Sequence, residues 1–172
     1  MARDRAEEAT HLDDEELIAA ANEALDRVLS FYSRVDTRAS ILLGVNTGML
    51  GYLASKLPPS KEWDIRVLAA VIPLVLLALS LFQLYRCAYP ALKGGHGSLQ
   101  YFREIAKLTE SRFITDFKAQ TRGDVAEDLL GQLWRNSEIL ADKFGCLRCA
   151  FALCAAAIPF WAVSIALLRG KG

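Results

Sequence analysis

Apolar residues recur in the first part of the chain at the spacing of an amphipathic α-helix. Between residues 13 and 35 they follow one another at steps of three and four positions. The members of this face are Leu17, Ile18, Ala21, Ala24, Leu25, Val28, Tyr32 and Val35. No glycine or proline interrupts the pattern, so we expect a helix over residues 13–37 that continues into the apolar segment after it. Residues 1–12 lack the pattern and are expected to be poorly ordered.

Three apolar segments follow, at residues 38–57, 67–85 and 146–168. The first has no charged residue between Arg38 and Lys56, and the other two each contain a proline. A bilayer core about 30 Å thick needs about 20 helical residues, and membrane helices tolerate proline. The pattern predicts an all-α membrane protein with three transmembrane helices and long cytoplasmic helical extensions that form a bundle. The alternative is a soluble bundle with three very hydrophobic core helices.

Residues 86–145, between the second and third segments, are polar and predicted to be helical. A flexible loop, "ALKGGHGS", precedes a short helix pattern that Ser98 is placed to cap. A second short helix is expected to begin at Thr109 or Ser111. After "QTRGD" a longer helix begins and is expected to continue into the third segment. Its apolar face comprises Val125, Leu129, Leu133, Asn136, Leu140 and Phe144.

The distribution of basic residues predicts the orientation, because cytoplasmic loops are enriched in lysine and arginine. One side of the predicted membrane carries Arg27, Arg34, Arg38, Arg86, Lys93, Lys143 and Arg148, and the other carries Lys56, Lys61, Arg66, Arg169 and Lys171. We therefore expect a multi-pass membrane protein with its N-terminus and its long loop in the cytoplasm.

Small residues in the first apolar segment predict a helix-association face. Ser40, Gly44 and Gly48 are spaced by four, and Gly51 follows three residues later. In lipid, such residues let two helix backbones approach closely. The partner is either the other two apolar segments of the same chain or a second copy of it. Asn46 and Thr47 are placed to add hydrogen bonds between helices.

Charged residues collect where the apolar segments begin or end on the cytoplasmic side. This juxtamembrane collar consists of Asp36, Arg38, Arg86, Lys143 and Arg148. One interpretation is that these residues anchor the helices at lipid headgroups and pair with one another, for example Asp36 with Lys143. The other is that the collar, together with Gln132 and Asn136, holds an anionic ligand. Arginine suits a phosphate, and Tyr101 or Phe102 is placed to stack on a base.

Composition and motifs restrict the chemistry. The chain has 172 residues, 53% of them hydrophobic, and 20 basic residues balance 20 acidic ones. This balance argues against a nucleic-acid partner. The sequence has no phosphate-binding glycine loop, no GxSxG and no HExxH, and its single CxxC, Cys146 and Cys149, has no second pair. We expect no enzyme, no metal and no bound cofactor.

Three stretches resemble, in order, the Pycsar transmembrane effectors. "VDTRASILLGVNTGMLGYL" resembles the D-x-K/R-A-x-x-L-L start of that family's first span, and "SLQYFREIA" resembles its aromatic-Phe-x-x-Ile segment. "EDLLGQLWRNSEILADKFGCLRCAF" is similar to its acid-rich helix that leads into the last span. The resemblance covers about Leu25 to Leu168. It departs from the family pattern at Arg38, where lysine is more usual, and at the two cysteines of the CxxC.

The resemblance implies a bacterial anti-phage role. By this resemblance, a partner pyrimidine nucleotide cyclase is expected to make cyclic UMP (cUMP) or cyclic CMP (cCMP) on infection. The effector, expected to be a homo-oligomer in the lipid bilayer, would then impair the inner membrane and halt the cell. No cyclic-nucleotide β-roll is recognisable, so a ligand site would be built from helices. We name Arg38, Tyr101, Gln132, Asn136 and Lys143 as its candidate residues. A second hypothesis is a non-enzymatic membrane-anchored scaffold that docks a cytoplasmic protein.

Overall fold

The computed structural model describes residues 13–57, 65–89, 95 and 97–169. Its elements are α1 (Asp14–Lys56), α2 (Ile65–Ala69), α3 (Val71–Ala88), α4 (Phe102–Ile105), α5 (Glu110–Ala119) and α6 (Arg122–Arg169). Because no strand occurs among these residues, the all-α prediction is confirmed for them. The expected N-terminal tail, residues 1–12, and most of the expected loop at 91–98 lie outside the described residues.

Two of the described helices are long and apolar enough to cross a membrane. They are Val67–Ala88, with 22 residues, and Arg122–Leu168, with 47 residues. Only 33% of the apolar window of the first and 22% of that of the second is buried. The segment at 38–57 lies in α1 and does not reach the same hydropathy, because Gly44, Asn46, Thr47 and Gly48 dilute its apolar residues. Three spans therefore remain a prediction.

The chain divides into two compact units. The first comprises residues up to Ser30 and Leu92–Glu138, and the second comprises Phe31–Ala91 and Ile139–Gly172. The short helices α4 and α5 belong to the first unit, and α2 and α3 belong to the second. The helices α1 and α6 each contribute residues to both units.

The core of the second unit is built from one face of each long helix. Its buried residues recur at intervals of three, four or seven positions, which is the spacing of helices packed side by side. They are Val35, Leu42, Asn46 and Leu53 on α1; Leu77, Ser80, Leu84 and Cys87 on α3; and Leu147, Ala150, Cys154 and Ala157 on α6. Small residues on α6 permit close approach of the neighbouring helices.

A buried polar chain links the three helices of this core. The amide nitrogen of Asn46 donates to Ser80 Oγ at 3.2 Å, and the Ser80 hydroxyl donates to the Ala150 carbonyl at 2.8 Å. The interhelical hydrogen bond expected of Asn46 is thus confirmed. Asn46 Oδ1 is buried and has no partner among the described residues. The two hydrogen bonds favour one register of the three helices. The unpaired oxygen of Asn46 reduces their net contribution to stability, because a buried acceptor without a partner is destabilising.

A proline lies in the first turn of α3, just after the break between α2 and α3 at Ala70. Pro73 has no backbone N–H to donate to the carbonyl of Ala69, four residues earlier. The hydroxyl of Ser164 on α6 donates to that carbonyl at 2.9 Å. The backbone group released by the proline is therefore satisfied by a neighbouring helix, as membrane helices require.

The first unit has a small core and two hydroxyl-capped turns. Ala21, Ala126 and Leu129 are its buried apolar residues. Thr109 is the N-cap of α5 and accepts from the backbone of Arg112 at 3.3 Å, so that start is confirmed. The prediction that Ser98 caps the short helix is wrong. It accepts from the backbone of Gln100 and Tyr101 and caps the turn before α4, whose N-cap is Tyr101.

The start of α6 is expected to loosen at acidic pH. Asp124 accepts from the backbone N–H of Thr121 at 2.8 Å and from its hydroxyl at 2.7 Å, and these bonds lower the pKa of Asp124. Their stabilisation is present above the ordinary value of 3.8 and is lost as pH falls through the lowered pKa. The protection of the Thr121 amide, its exchange rate relative to that of an unstructured peptide at the same pH, should then fall. Asp124→Asn should remove this pH dependence, and an unchanged profile would contradict the assignment.

Candidate functional site

The second unit contains an ion pair between Asp36 on α1 and Lys143 on α6. Lys143 Nζ lies 2.9 Å from Asp36 Oδ1, so the pairing expected from the sequence is confirmed. The Lys143 side chain is 15% exposed and the Asp36 side chain is 57% exposed. The ammonium also lies 5.5 Å from the ring centroid of Tyr32. Burial raises the pKa of Tyr32, and the charge of Asp36 raises it further, so the phenol stays neutral beside the pair.

The backbone at Lys143 is also tied to α3. The thiol of Cys87, which is buried, donates to the Lys143 carbonyl at 3.6 Å. One turn of α6 therefore contacts α1 through a side chain and α3 through its backbone. Movement of either neighbour relative to this turn has to break one of these contacts.

Arg86 lines a recess that contains Lys143 of the ion pair but not Asp36. Its guanidinium donates to Gln83 Oε1 at 3.5 Å, and it lines a recess of about 310 Å³ with Asp142 and Lys143. A carboxylate is thus available near this arginine. Arg86 is therefore not part of a purely cationic site.

Arg38 and Arg148 line a separate groove of about 1040 Å³ between α1 and α6. Apolar side chains make up most of its remaining lining, chiefly Ile41, Phe144, Leu147 and Phe151. Phe144, predicted to belong to the apolar face of its helix, is exposed. The predicted collar is therefore divided in two: Arg86 shares a recess with Lys143 of the ion pair, and Arg38 and Arg148 lie on an apolar groove.

The glycines of α1 form an open face. A methyl group placed on Gly44, Gly48 or Gly51 has no neighbouring atom within 4 Å among the described residues. Each glycine lies two residues from a buried position, Leu42, Asn46 or Leu53. At 3.6 residues per turn, this places the glycines opposite the core-facing side of the helix.

The open face bears on the choice of partner helix that the sequence left open. Among the described residues, these three glycines do not pack against another helix of the same chain. Ser40, predicted to belong to the same face, differs from them. Its hydroxyl donates to the Asp36 carbonyl at 2.9 Å, and its side chain lines a recess with Leu84 and Tyr85 of α3.

The other three candidate ligand residues lie in the first unit. Gln132 donates to Gln100 Oε1 at 3.3 Å, and Asn136 donates to the Gln132 carbonyl at 2.9 Å. The ring of Tyr101 contacts Gly95, whose φ of 76° is left-handed and where any Cβ would collide with that ring. These side chains therefore already make contacts within the unit, and the five candidates are divided between the two units.

A polar cleft of about 470 Å³ in the first unit was not predicted. Its lining includes Asp124, Glu127, Asp128 and Arg135, which recur along one face of α6 at steps of three, one and seven residues. This spacing of charged residues on one helix face is the feature of the sequence that could have predicted the cleft. Three carboxylates outweigh one guanidinium there, so the cleft disfavours a phosphate and we do not place an anionic ligand in it.

Comparison with known proteins gives one family. Residues 20–170 match the Pycsar effector protein domain, PycTM. Neither the comparison with curated proteins nor the comparison with solved structures gave a match.

Proposed function

Because that match spans most of its length, the chain belongs to the Pycsar effector family, a family of anti-phage effectors, and we propose a signal and a mechanism for it. The signal is a cyclic pyrimidine mononucleotide, cUMP or cCMP, made by a partner pyrimidine nucleotide cyclase. The response is a rearrangement of an oligomer of the chain that impairs the inner membrane and aborts the infection. The effector itself catalyses no reaction in this proposal.

The apolar exterior of the second unit supports a membrane location. Large apolar side chains point outward on both membrane-length helices, among them Leu68 and Phe82 on α2 and α3 and Phe151 and Val163 on α6. Soluble monomers rarely expose contiguous apolar surface on this scale, whereas lipid solvates it. We propose that α1 supplies a third span over residues 38–57, so that its glycine face also lies in the membrane.

The orientation that we propose places the N-terminus and the residues between α3 and α6 in the cytoplasm. It rests on the bias of basic residues towards that side of the spans. An impermeant thiol reagent applied to intact cells should label a Ser55→Cys variant, because Ser55 lies at the opposite end of α1. Protection of that cysteine from the reagent would contradict the proposed orientation.

The open glycine face is the observation that carries the oligomer proposal. Gly44, Gly48 and Gly51 have no partner helix among the described residues, and small residues four apart favour helix contact in lipid. A second copy of α1 is the occupant that the spacing fits. A signal that favours one arrangement of these contacts shifts the oligomer towards it.

The residues that we propose for the nucleotide are Arg38, Tyr101, Gln132, Asn136 and Lys143. A phosphate at Lys143 has to compete with the carboxylate of Asp36, 2.9 Å away. The cationic and the amide-bearing residues lie in different units, so their roles are separable. Arg38→Gln with Lys143→Gln tests the first set, and Gln132→Leu with Asn136→Leu tests the second. Calorimetry should show at least tenfold weaker nucleotide binding for a set that contacts the ligand.

Leakage from vesicles tests the proposed function. The full chain is reconstituted into vesicles of phosphatidylethanolamine and phosphatidylglycerol that enclose a quenched dye. We expect dye release on addition of cUMP or cCMP and none on addition of cyclic AMP. Calorimetry on the same preparation measures nucleotide binding independently.

The scaffold hypothesis predicts a different result. A membrane-anchored scaffold releases no dye with any nucleotide and binds none of them. That outcome would overturn the effector mechanism while leaving the membrane location in place.

A further inference from the structure

The groove between α1 and α6 joins two positive charges to an apolar surface. Arg38 and Arg148 come from different helices and line the same groove. Among the described residues that line it there is no carboxylate, hydroxyl or side-chain amide. The two guanidinium groups are therefore its only polar side chains, and no acidic residue of the lining neutralises them.

The order of residues along each helix repeats the same arrangement. Ile41 follows Arg38 by three residues, and Phe151 follows Arg148 by three residues, so each arginine has an apolar side chain one turn further along the same face. Ile41 is 64% exposed and Phe151 is 57% exposed. On both helices the uncharged stretch begins directly after the arginine and runs to Lys56 or Arg169. The charges thus lie where the proposed spans begin, and the apolar side chains lie deeper.

These features match an anionic amphiphile better than a nucleotide. Guanidinium groups bind phosphate oxygens, and the exposed apolar side chains suit an acyl chain. A pyrimidine base presents hydrogen-bond donors and acceptors, for which the described lining supplies no side-chain amide or hydroxyl partner.

We propose that this groove binds an anionic membrane phospholipid. Arg38 and Arg148 contact its phosphate, and an acyl chain lies along Ile41 and Phe151. The inference rests on the membrane location in the proposed function. For Arg38 the lipid replaces the nucleotide role proposed above, and Tyr101, Gln132, Asn136 and Lys143 stay as candidates for the nucleotide.

Native mass spectrometry of the full chain in neutral detergent tests this inference. Phosphatidylglycerol is titrated against phosphatidylcholine in the absence of any nucleotide. We expect the double variant Arg38→Gln with Arg148→Gln to bind phosphatidylglycerol about 25-fold more weakly, at about fivefold for each arginine near the membrane surface. Phosphatidylcholine should bind weakly to wild type and variant alike.

Two controls separate the groove from charge in general. Arg86→Gln removes the same charge from the recess that contains Asp142, and it should change phosphatidylglycerol binding less than twofold. Arg38→Lys with Arg148→Lys keeps the charge and should retain most of the binding. Unchanged helicity by circular dichroism verifies that the double glutamine variant remains folded, as expected for exposed side chains.

Three results would overturn the inference. Equal phosphatidylglycerol binding by wild type and double glutamine variant would remove the arginines from the site. Displacement of the lipid by cUMP or cCMP through the same arginines would assign the groove to the nucleotide. A change in oligomer mass with unchanged lipid binding would assign it to a second copy. Failure of nucleotide-triggered leakage, with arginine-dependent lipid binding intact, would instead sink only the proposed function.

Discussion

A Gly48→Leu variant is expected to lose nucleotide-triggered leakage while keeping its fold. Gly48 lies on the open face of α1, where an added methyl group meets nothing within 4 Å among the described residues. Because Gly48 is exposed and an added Cβ meets no neighbour, we expect the fold to tolerate a leucine and the free energy of unfolding to change by no more than about 1 kcal/mol. A helix that packs closely over this face is pushed away by the larger side chain. We expect self-association to weaken by about tenfold or more, which corresponds to about 1.4 kcal/mol.

A matched variant on another helix isolates the effect of the face. Ala155 is exposed on α6, so Ala155→Leu adds bulk to an exposed helix surface without changing the glycine face. Sedimentation in detergent should show a smaller assembly for Gly48→Leu and an unchanged one for Ala155→Leu. If Gly48→Leu keeps both the wild-type assembly and the wild-type leakage, the glycine face is not a contact between copies.

Removing Asp36 is expected to destabilise the chain more than removing its partner. Asp36→Asn leaves the Lys143 ammonium, whose side chain is only 15% exposed, without a carboxylate. Lys143→Met removes the buried charge itself and leaves a carboxylate that is 57% exposed and solvated. An uncompensated buried charge is more destabilising than a lost surface pair. We expect a loss of about 2 kcal/mol for Asp36→Asn and of about 1 kcal/mol or less for Lys143→Met.

Denaturation in mixed detergent micelles measures these free energies of unfolding. The double variant Asp36→Asn with Lys143→Met should resemble Lys143→Met alone, because the methionine removes the charge that asparagine leaves unpaired. A larger loss for Lys143→Met than for Asp36→Asn would mean that the contact of the ammonium with Tyr32 outweighs the ion pair. The same variants also show whether the ion pair takes part in the nucleotide response, because leakage should then change when the pair is broken.

Local sequence signals predicted several local features correctly. Thr109 was one of two expected starts of a helix, with Ser111 as the other, and the Asp36–Lys143 pair was expected in one of the two interpretations of the collar. Asn46 was expected to bond across helices because an amide has few partners in an apolar segment. Ser98 was misassigned, because its hydroxyl caps a turn that depends on the left-handed backbone of Gly95 and Gly97 nearby. Such a turn leaves little periodic pattern in a sequence.

The helical character and the lengths of the apolar segments were determined by the sequence alone. Both follow from the spacing of apolar residues and from the number of residues that a bilayer requires, which are local properties. The tertiary structure decided which face of each helix meets which neighbour. It turned Val35, Leu42, Asn46 and Leu53 inward and the glycines outward, and it grouped Arg38 with Arg148 while pairing Lys143 with Asp36. The rotation of a helix about its axis depends on contacts with residues distant in the chain, and a local pattern does not contain it.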